Sequence, residues 1–291
     1  MNIKQVAFMR KFWLLLIVWA SNVYFSQTIT GSILSKDDGQ PIRYAKIGVE
    51  NIEKGGFSDD KGFFLIDLTN VDRHSNIKIE AAGFEPYKNT VANFIKSHTK
   101  VILTPKTTEI QEVLIASKKY ITKNIGYHSK SRKIFIDYLS KNAKTLAQAE
   151  KEKPQAEIAV PIQVKHKAKI TKINLNLAQF NVNKAIPARF IIYSELDGKP
   201  HHILNKEDLI FEISGESLKD NTFSLEVSDK NIWFSGKIFV SFQPLDRNFT
   251  GSFSISAGLF GRSFMRSFVE KWRKLPASIV PAINLEIKTE K

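Results

Sequence analysis

Beyond its N-terminus the chain is predicted to be all-β, and three observations predict it. From Thr28 onward apolar and polar residues alternate, the period of a strand with one buried face. Clusters rich in Gly, Asp and Asn interrupt the alternation at short intervals. Between Thr28 and Leu103 no stretch carries a convincing helical period. With 43% hydrophobic residues in 291, the chain has the material for a packed core, and the length fits a targeting segment followed by two modest domains.

The N-terminus reads differently. Lys4, Arg10 and Lys11 precede the apolar run Phe12–Ala20, which gives way to Ser21, Asn22 and a small, polar stretch ending at Gln27. Positive, apolar, then polar is the layout of a secretory signal peptide, with cleavage expected near Ser26. The apolar run is about half the ~20 residues a membrane-spanning helix needs, which favours cleavage over an uncleaved anchor. Losing residues 1–26 removes three positive charges and lowers the net charge from +14 to 14 − 3 = +11. A basic exported protein meets anionic glycans, lipid phosphates and acidic proteins before nucleic acid. There is no cysteine. Disulfides, thiolate metal sites, a cysteine nucleophile and a lipid on cysteine are therefore all excluded.

In the first domain, expected over residues 27–106, strands are predicted at Thr28–Leu34, Tyr44–Val49, Phe63–Leu68, Ile77–Ala82 and Lys100–Leu103. Asp37–Pro41, Lys54–Gly56 and Asp59–Gly62 read as turns. Asp59 is expected to bind backbone amides of its own turn, Gly62 to open the next strand and Phe64 to point inward. A calcium site at Asp59 and Asp60 is the competing reading, but the loop lacks alternating oxygen ligands and a closing Glu.

Gly31, Gly39-x-Pro41, Ala45, Val49, Ser58-Asp59-x-x-Gly62-x-Phe64, Gly83-Phe84 and Val101-x-Leu103 fall in the order of the carboxypeptidase-regulatory-like domain, which this part of the chain resembles. The resemblance implies a transthyretin-like antiparallel sandwich, with Arg43 where the family often has a small residue. The domain is also similar to the N-terminal extension of TonB-dependent outer-membrane receptors, where a segment like Glu109–Ile115 follows. Such a receptor needs a plug and a large barrel, and 291 − 115 = 176 residues cannot supply ~22 strands of ~10 residues.

Residues 107–124 read as a linker, and no acid stands between Val113 and Ile136, where Lys118, Lys119, Lys123, Lys130, Arg132, Lys133 and His128 lie. That strip reads as an anion-binding surface or as a solvated strand face and loop. Tyr138–Lys153, rich in alanine and charge, predicts a short exposed helix ended by Pro154. Strands resume at Glu157–Lys165, Ala168–Ala178, Ala188–Glu195, Leu209–Ile213, Thr222–Glu226, Ile232–Phe242, Gly251–Ala257 and Ser278–Ile287, with hairpin turns at Asp197-Gly198 and Asp229–Asn231. Residues 125–291 are thus predicted to form a second sandwich or jelly roll. This half resembles, less specifically, the region attached to the regulatory-like domain in bacterial envelope proteins, on Gly126-Tyr127, Glu157-x-Ala159-Val160-x-Ile162, Phe253–Ser256 and Lys271–Pro276.

No catalytic motif emerges. None of His74, His98, His128, His166, His201 and His202 has a Glu three residues later, as a zinc carboxypeptidase requires. A nucleophile elbow and a phosphate loop are both missing. His201 and His202, after Pro200, offer a candidate metal site, but adjacent residues of an extended chain face opposite sides and chelate poorly as a pair, which favours a turn or surface role. Glu207 and Asp208 form a carboxylate pair whose geometry a sequence does not reveal. Phe260–Lys274 interleaves aromatics with Arg and Lys. Arg262, Phe264, Arg266 and Trp272 are therefore candidate ligand contacts, either a sugar-stacking or anion-binding surface or core aromatics beside solvated cations. No cofactor and no metal are expected.

The expected function is that of a non-catalytic, exported envelope protein in the periplasm, at the outer membrane or on the surface. It would bind a glycan, a peptide or a protein partner, with no nucleic acid and at most peripheral membrane contact. A hydrolase with its site in the second β-domain is the alternative.

Overall fold

The computed structural model describes residues 28–97, 100–106, 119–139, 156–246 and 249–290. The stretch read as a signal peptide, the Glu109–Ile115 segment and most of the Tyr138–Lys153 stretch lie outside them.

The first domain contains β1 (Thr28–Ser35), β2 (Lys46–Val49), β3 (Gly55–Phe57), β4 (Phe63–Asp67), β5 (Asn76–Glu80), β6 (Tyr87–Thr90), a short helix α1 (Val91–Ser97) and β7 (Lys100–Leu103). Two sheets, ordered β4-β1-β7 and β3-β2-β5-β6, enclose one core in which Ile33, Ile47, Phe64, Ile66, Ile77, Ile79 and Phe94 are almost fully buried. All ladders are antiparallel except β1 with β7. The Gly55-Gly56 pair, read as a turn, belongs to β3. The helix α1 was not expected. It is under two turns long and is held by the inward-facing Val91 and Phe94, both fully buried.

Phe64 does point inward, and Asp59 organises its turn as expected, accepting from the backbone amides of Lys61 at 2.9 Å and Phe63 at 2.8 Å. Gly62 has φ +77°, and a Cβ there would stand 2.8 Å from the Ile33 carbonyl oxygen and 2.9 Å from Pro41. Gly62→Val is therefore expected to destabilise the domain by roughly 1–3 kcal/mol, because a β-branched residue resists this conformation and meets backbone besides. An unchanged thermal midpoint would contradict this.

The second domain contains β8 (Tyr120–Gly126), β9 (Phe135–Leu139), β10 (Glu157–Val182), β11 (Ile186–Leu196), β12 (Lys199–Ile203), β13 (Leu209–Ile213), β14 (Thr222–Glu226), β15 (Trp233–Pro244), β16 (Gly251–Gly258), β17 (Phe264–Arg266), β18 (Arg273–Lys274), β19 (Val280–Pro281) and β20 (Ile283–Glu290). The organising element is β10, which pairs with β14, β15, β16, β17 and β20. Two predicted strands, Glu157–Lys165 and Ala168–Ala178, are one. The gap between them is a bulge against β15 between Val164 and Ala168, where Lys165, His166 and Lys167 reach solvent.

Three further readings change. β8 begins inside the stretch read as linker and pairs with β20. Tyr138 lies on β9, not on a helix, and stacks on Phe253 with centroids 5.0 Å apart. Asp229–Asn231 is a turn but closes no hairpin, since β14 and β15 align on successive parts of β10. Asp197-Gly198 is a true hairpin turn, with φ of 51° and 73° joining β11 to β12.

Candidate functional site

The two domains meet along the faces their strands turn away from their own cores. On β2 and β5, Ile47, Val49, Ile77 and Ile79 enter the first core, so Lys46, Lys78 and Glu80 point the other way. On β11 and β15, Phe190, Ile192, Val240 and Phe242 enter the second core, which puts Tyr193 and Ser241 on the opposite face. Register then sets Lys46 across from Glu80 and Glu157 across from Arg266. A second set of contacts closes the seam. Phe268 lies 5.7 Å from Phe57 between ring centroids, and a Cβ on Gly55 would stand 2.5 Å from the Phe268 ring, so only glycine fits there.

Glu157 is fully buried at the centre. One of its carboxylate oxygens accepts from Lys46 Nζ at 2.5 Å and from Arg266 Nε at 3.0 Å. The other accepts from Tyr193 Oη at 2.7 Å and Ser241 Oγ at 2.6 Å. Arg266 also donates to Glu80 at 3.1 Å and to Tyr193 Oη at 2.8 Å, and Lys78 pairs with Glu80 from the other side. Arg189 forms a neighbouring node, donating to Gln243 Oε1 through two nitrogens and to the Tyr44 carbonyl at 2.9 Å.

These positions reshape the titrations. Burial by itself would raise the Glu80 carboxyl, but Arg266, then Lys78 and Lys46, outweigh it and hold it at about 2. Glu157 goes the same way, below the ordinary carboxylate range, because Lys46 and Arg266 overcome its burial. Burial, helped by Arg266, pulls the Lys46 ammonium down to about 7 against the attraction of Glu157. Burial pushes the Tyr193 hydroxyl well above its usual value, so it stays a neutral donor.

Arg266, Glu80 and Lys78 of this network line a cleft of about 240 Å³ along the seam. Its walls include Glu50 and Lys78 from the first domain and His201, Glu270 and Trp272 from the second. Trp272 is half-buried; the Arg266 guanidinium lies 4.5 Å from its ring centroid, and Tyr193 meets its edge at 5.4 Å. Burial raises the Glu270 carboxyl, which Arg273 pulls back at 3.4 Å.

The four candidate contacts are thus divided. Trp272 lines the cleft and Arg262 is exposed elsewhere on the surface. Phe264 is 1% exposed and packs edge-on against Phe239 at 5.5 Å, so its ring serves a small core under the seam. Arg266, only 5% exposed, is a buried partner of Glu157 and Glu80 and not the solvent-facing fork the stretch suggested, because β17 lies under the first domain. Lys46, Glu80 and Tyr193 were not singled out from sequence, and Glu157 only as part of a resemblance and with no site role. The available signal was a charge inside an apolar strand run: Lys46 before Ile47-Gly48-Val49, and Glu157 before Ile158-Ala159-Val160.

The other candidates separate as well. His201 and His202 are exposed with rings 3.7 Å apart, and among the described residues they join no cluster of three metal-binding side chains. Glu207 pairs with Lys230 at 3.0 Å, while burial raises the Asp208 carboxyl beside Arg189 at 3.7 Å.

Comparison with known proteins identifies a class for one part of the chain. Residues 29–115 match the family described as CarboxypepD_reg-like domain. The chain is therefore a β-sandwich protein carrying one such module. A search of curated proteins found no match. Among solved structures, the full-length major pilin SpaD from Corynebacterium diphtheriae aligns at 10% identity and a TM-score of 0.20, over 86% of this chain. The alignment spans 63% of that pilin's length, less than two thirds.

Proposed function

We propose that this protein is a non-catalytic binding or assembly module of the cell envelope, exported through its N-terminal segment, with the seam cleft as its ligand site. One observation carries the reading. The half-buried Trp272 stands in a polar cleft where Arg266 and Glu80 are paired with each other across the two β-domains. A partly exposed ring in a cleft shared with Glu50, Lys78 and His201 suits a polar, flat-faced ligand, and a glycan fits this best. Groups tied into such a network are poorly placed to attack or to shuttle protons.

Trp272→Ala is expected to weaken glycan capture about tenfold on an array or by calorimetry, with a loss of stability under about 2 kcal/mol. A strongly destabilised variant would mean that the ring is core, and unchanged capture would mean that the cleft is elsewhere. Export predicts a mature N-terminus at or near Gln27, and an intact Met1 found by mass spectrometry of the envelope fraction would contradict it.

The hydrolase reading draws on one observation, two cleft carboxyls whose environments push them apart, Glu80 downward and Glu270 upward. It predicts slow glycan cleavage that Glu270→Gln abolishes. The binding reading predicts no cleavage in either protein.

A further inference from the structure

The loop between β16 and β17 carries the most exposed aromatic side chain among the described residues. Phe260 is 95% exposed and sits at φ +65° on the loop between β16 and β17, next to Leu259, which is 43% exposed. The loop is pinned on both sides. Gly261 donates to the Ser278 carbonyl at 3.0 Å. Just before the tip, Ala257 donates to the Ile134 carbonyl at 2.9 Å and accepts from Ser129 Oγ at 2.9 Å. Those bonds bring the 127–135 segment alongside, and with it the acid-free basic strip. Lys130, Arg132 and Lys133 are exposed there, Arg262 is exposed on the tip itself, and Phe135, opposite Ser256, adds a third apolar group at 39% exposure. No acid occurs in residues 127–135, 256–263 or 276–282. The first acid along β9, Asp137, accepts a hydrogen bond from Ser254.

We propose that this tip is an interfacial anchor for an anionic phospholipid surface, with Phe260 and Leu259 entering the headgroup region and Lys130, Arg132, Lys133 and Arg262 meeting lipid phosphates. A ring 95% exposed on a pinned turn buries almost none of its apolar surface against the described residues. Beside four cations it matches an interface that is apolar below and negative at its surface. Burying the ring is worth about tenfold in affinity, and each nearby cation about fivefold. A soluble polyanion would use the cations and leave the ring idle, which makes the ring the discriminating element. The proposal is independent of the cleft.

The chain has no cysteine, so Ser278→Cys, exposed and held beside the tip by the Gly261–Ser278 hydrogen bond, creates a unique site for an environment-sensitive fluorophore and leaves Phe260 in place. Full-length protein labelled there is mixed with vesicles of phosphatidylcholine alone or with 30% phosphatidylglycerol, and the exposed Asp60 of the first domain, as Asp60→Cys, provides the control. The expected result is a blue shift at position 278 with anionic vesicles only, reduced by high salt, and none at position 60. In unlabelled protein, Phe260→Ser should cut sedimentation with anionic vesicles at least fivefold. Every variant keeps residues 1–27, so binding through that apolar run is common to all, and the readout is the excess on anionic over phosphatidylcholine vesicles. No shift at position 278, equal shifts at both positions, or undiminished excess binding by Phe260→Ser would overturn the proposal. If Phe260→Ser binds normally while heparin displaces the protein, the tip is a polyanion surface instead.

Discussion

Glu157→Ala is expected to cost about 3–5 kcal/mol of stability, the largest effect of any single change at the seam. The carboxylate accepts four hydrogen bonds and is fully buried, with Lys46 at 2.5 Å and Arg266 at 3.0 Å on one oxygen. Removing it leaves two buried cations facing each other, takes the Tyr193 hydroxyl's acceptor away and leaves Ser241 only the Ile191 carbonyl at 3.3 Å. The carboxylate also joins domains, since Lys46 belongs to β2 and Glu157 to β10. Because the two hydrophobic cores are separate, the loss should fall on their docking, and a single denaturation transition should broaden or split. Denaturant melts of the two proteins measure this. A change under 1 kcal/mol would mean that the seam is held by Phe268 and its neighbours and not by charge.

Acid is expected to produce a comparable loss. Glu80 is held at about 2 in the folded protein, against 4.5 for the free side chain. A carboxyl lowered by folding contributes stability that is complete above about 4.5 and is lost as pH falls toward 2, because the unfolded chain takes up the proton first. For Glu80 alone this amounts to about 3 kcal/mol, and Glu157 adds to it in the same direction. Lys46 works in another window with the same sign. Its folded value is lowered to about 7 from 10.5, so between those values the unfolded chain again holds more protons, and stability rises with pH. Melts at pH 7, 4 and 3 should show a steep acid limb, and Glu80→Gln should flatten it. An acid limb unchanged in that variant would place the sensitive carboxylates outside the seam.

Much of the candidate site was hidden from sequence for a definite reason. Period-two alternation tells which residues of a strand share a face, but not what covers the second face. Lys78, Glu80, Tyr193 and Ser241 read as solvent-side partners of apolar residues, and in an isolated domain they would be. Arg266 was legible as chemistry-bearing but was assigned to the surface, because nothing within β17 reveals that another domain lies over it. Trp272 was legible for the same local reason and does reach the cleft, on the segment between β17 and β18 that also carries Phe268 along the seam.

What the sequence by itself determined is local. The strands from Thr28, the Asp59–Gly62 turn, the hairpin at Asp197-Gly198 and the inward Phe64 follow from alternation, Asx hydrogen bonding and positive φ, which act over a few residues. Only the tertiary structure decided the rest. Lys46 and Glu157 lie 111 positions apart, and Glu80 and Arg266 lie 186 apart. Their meeting depends on which sheet face docks on which, and the bulge that makes β10 one continuous strand depends on β15 across from it. A charge on a strand's polar face is cheap in water and costly when buried alone. The sequence marks where such charges stand, and only the docking of the domains supplies the opposite charges that let them be buried.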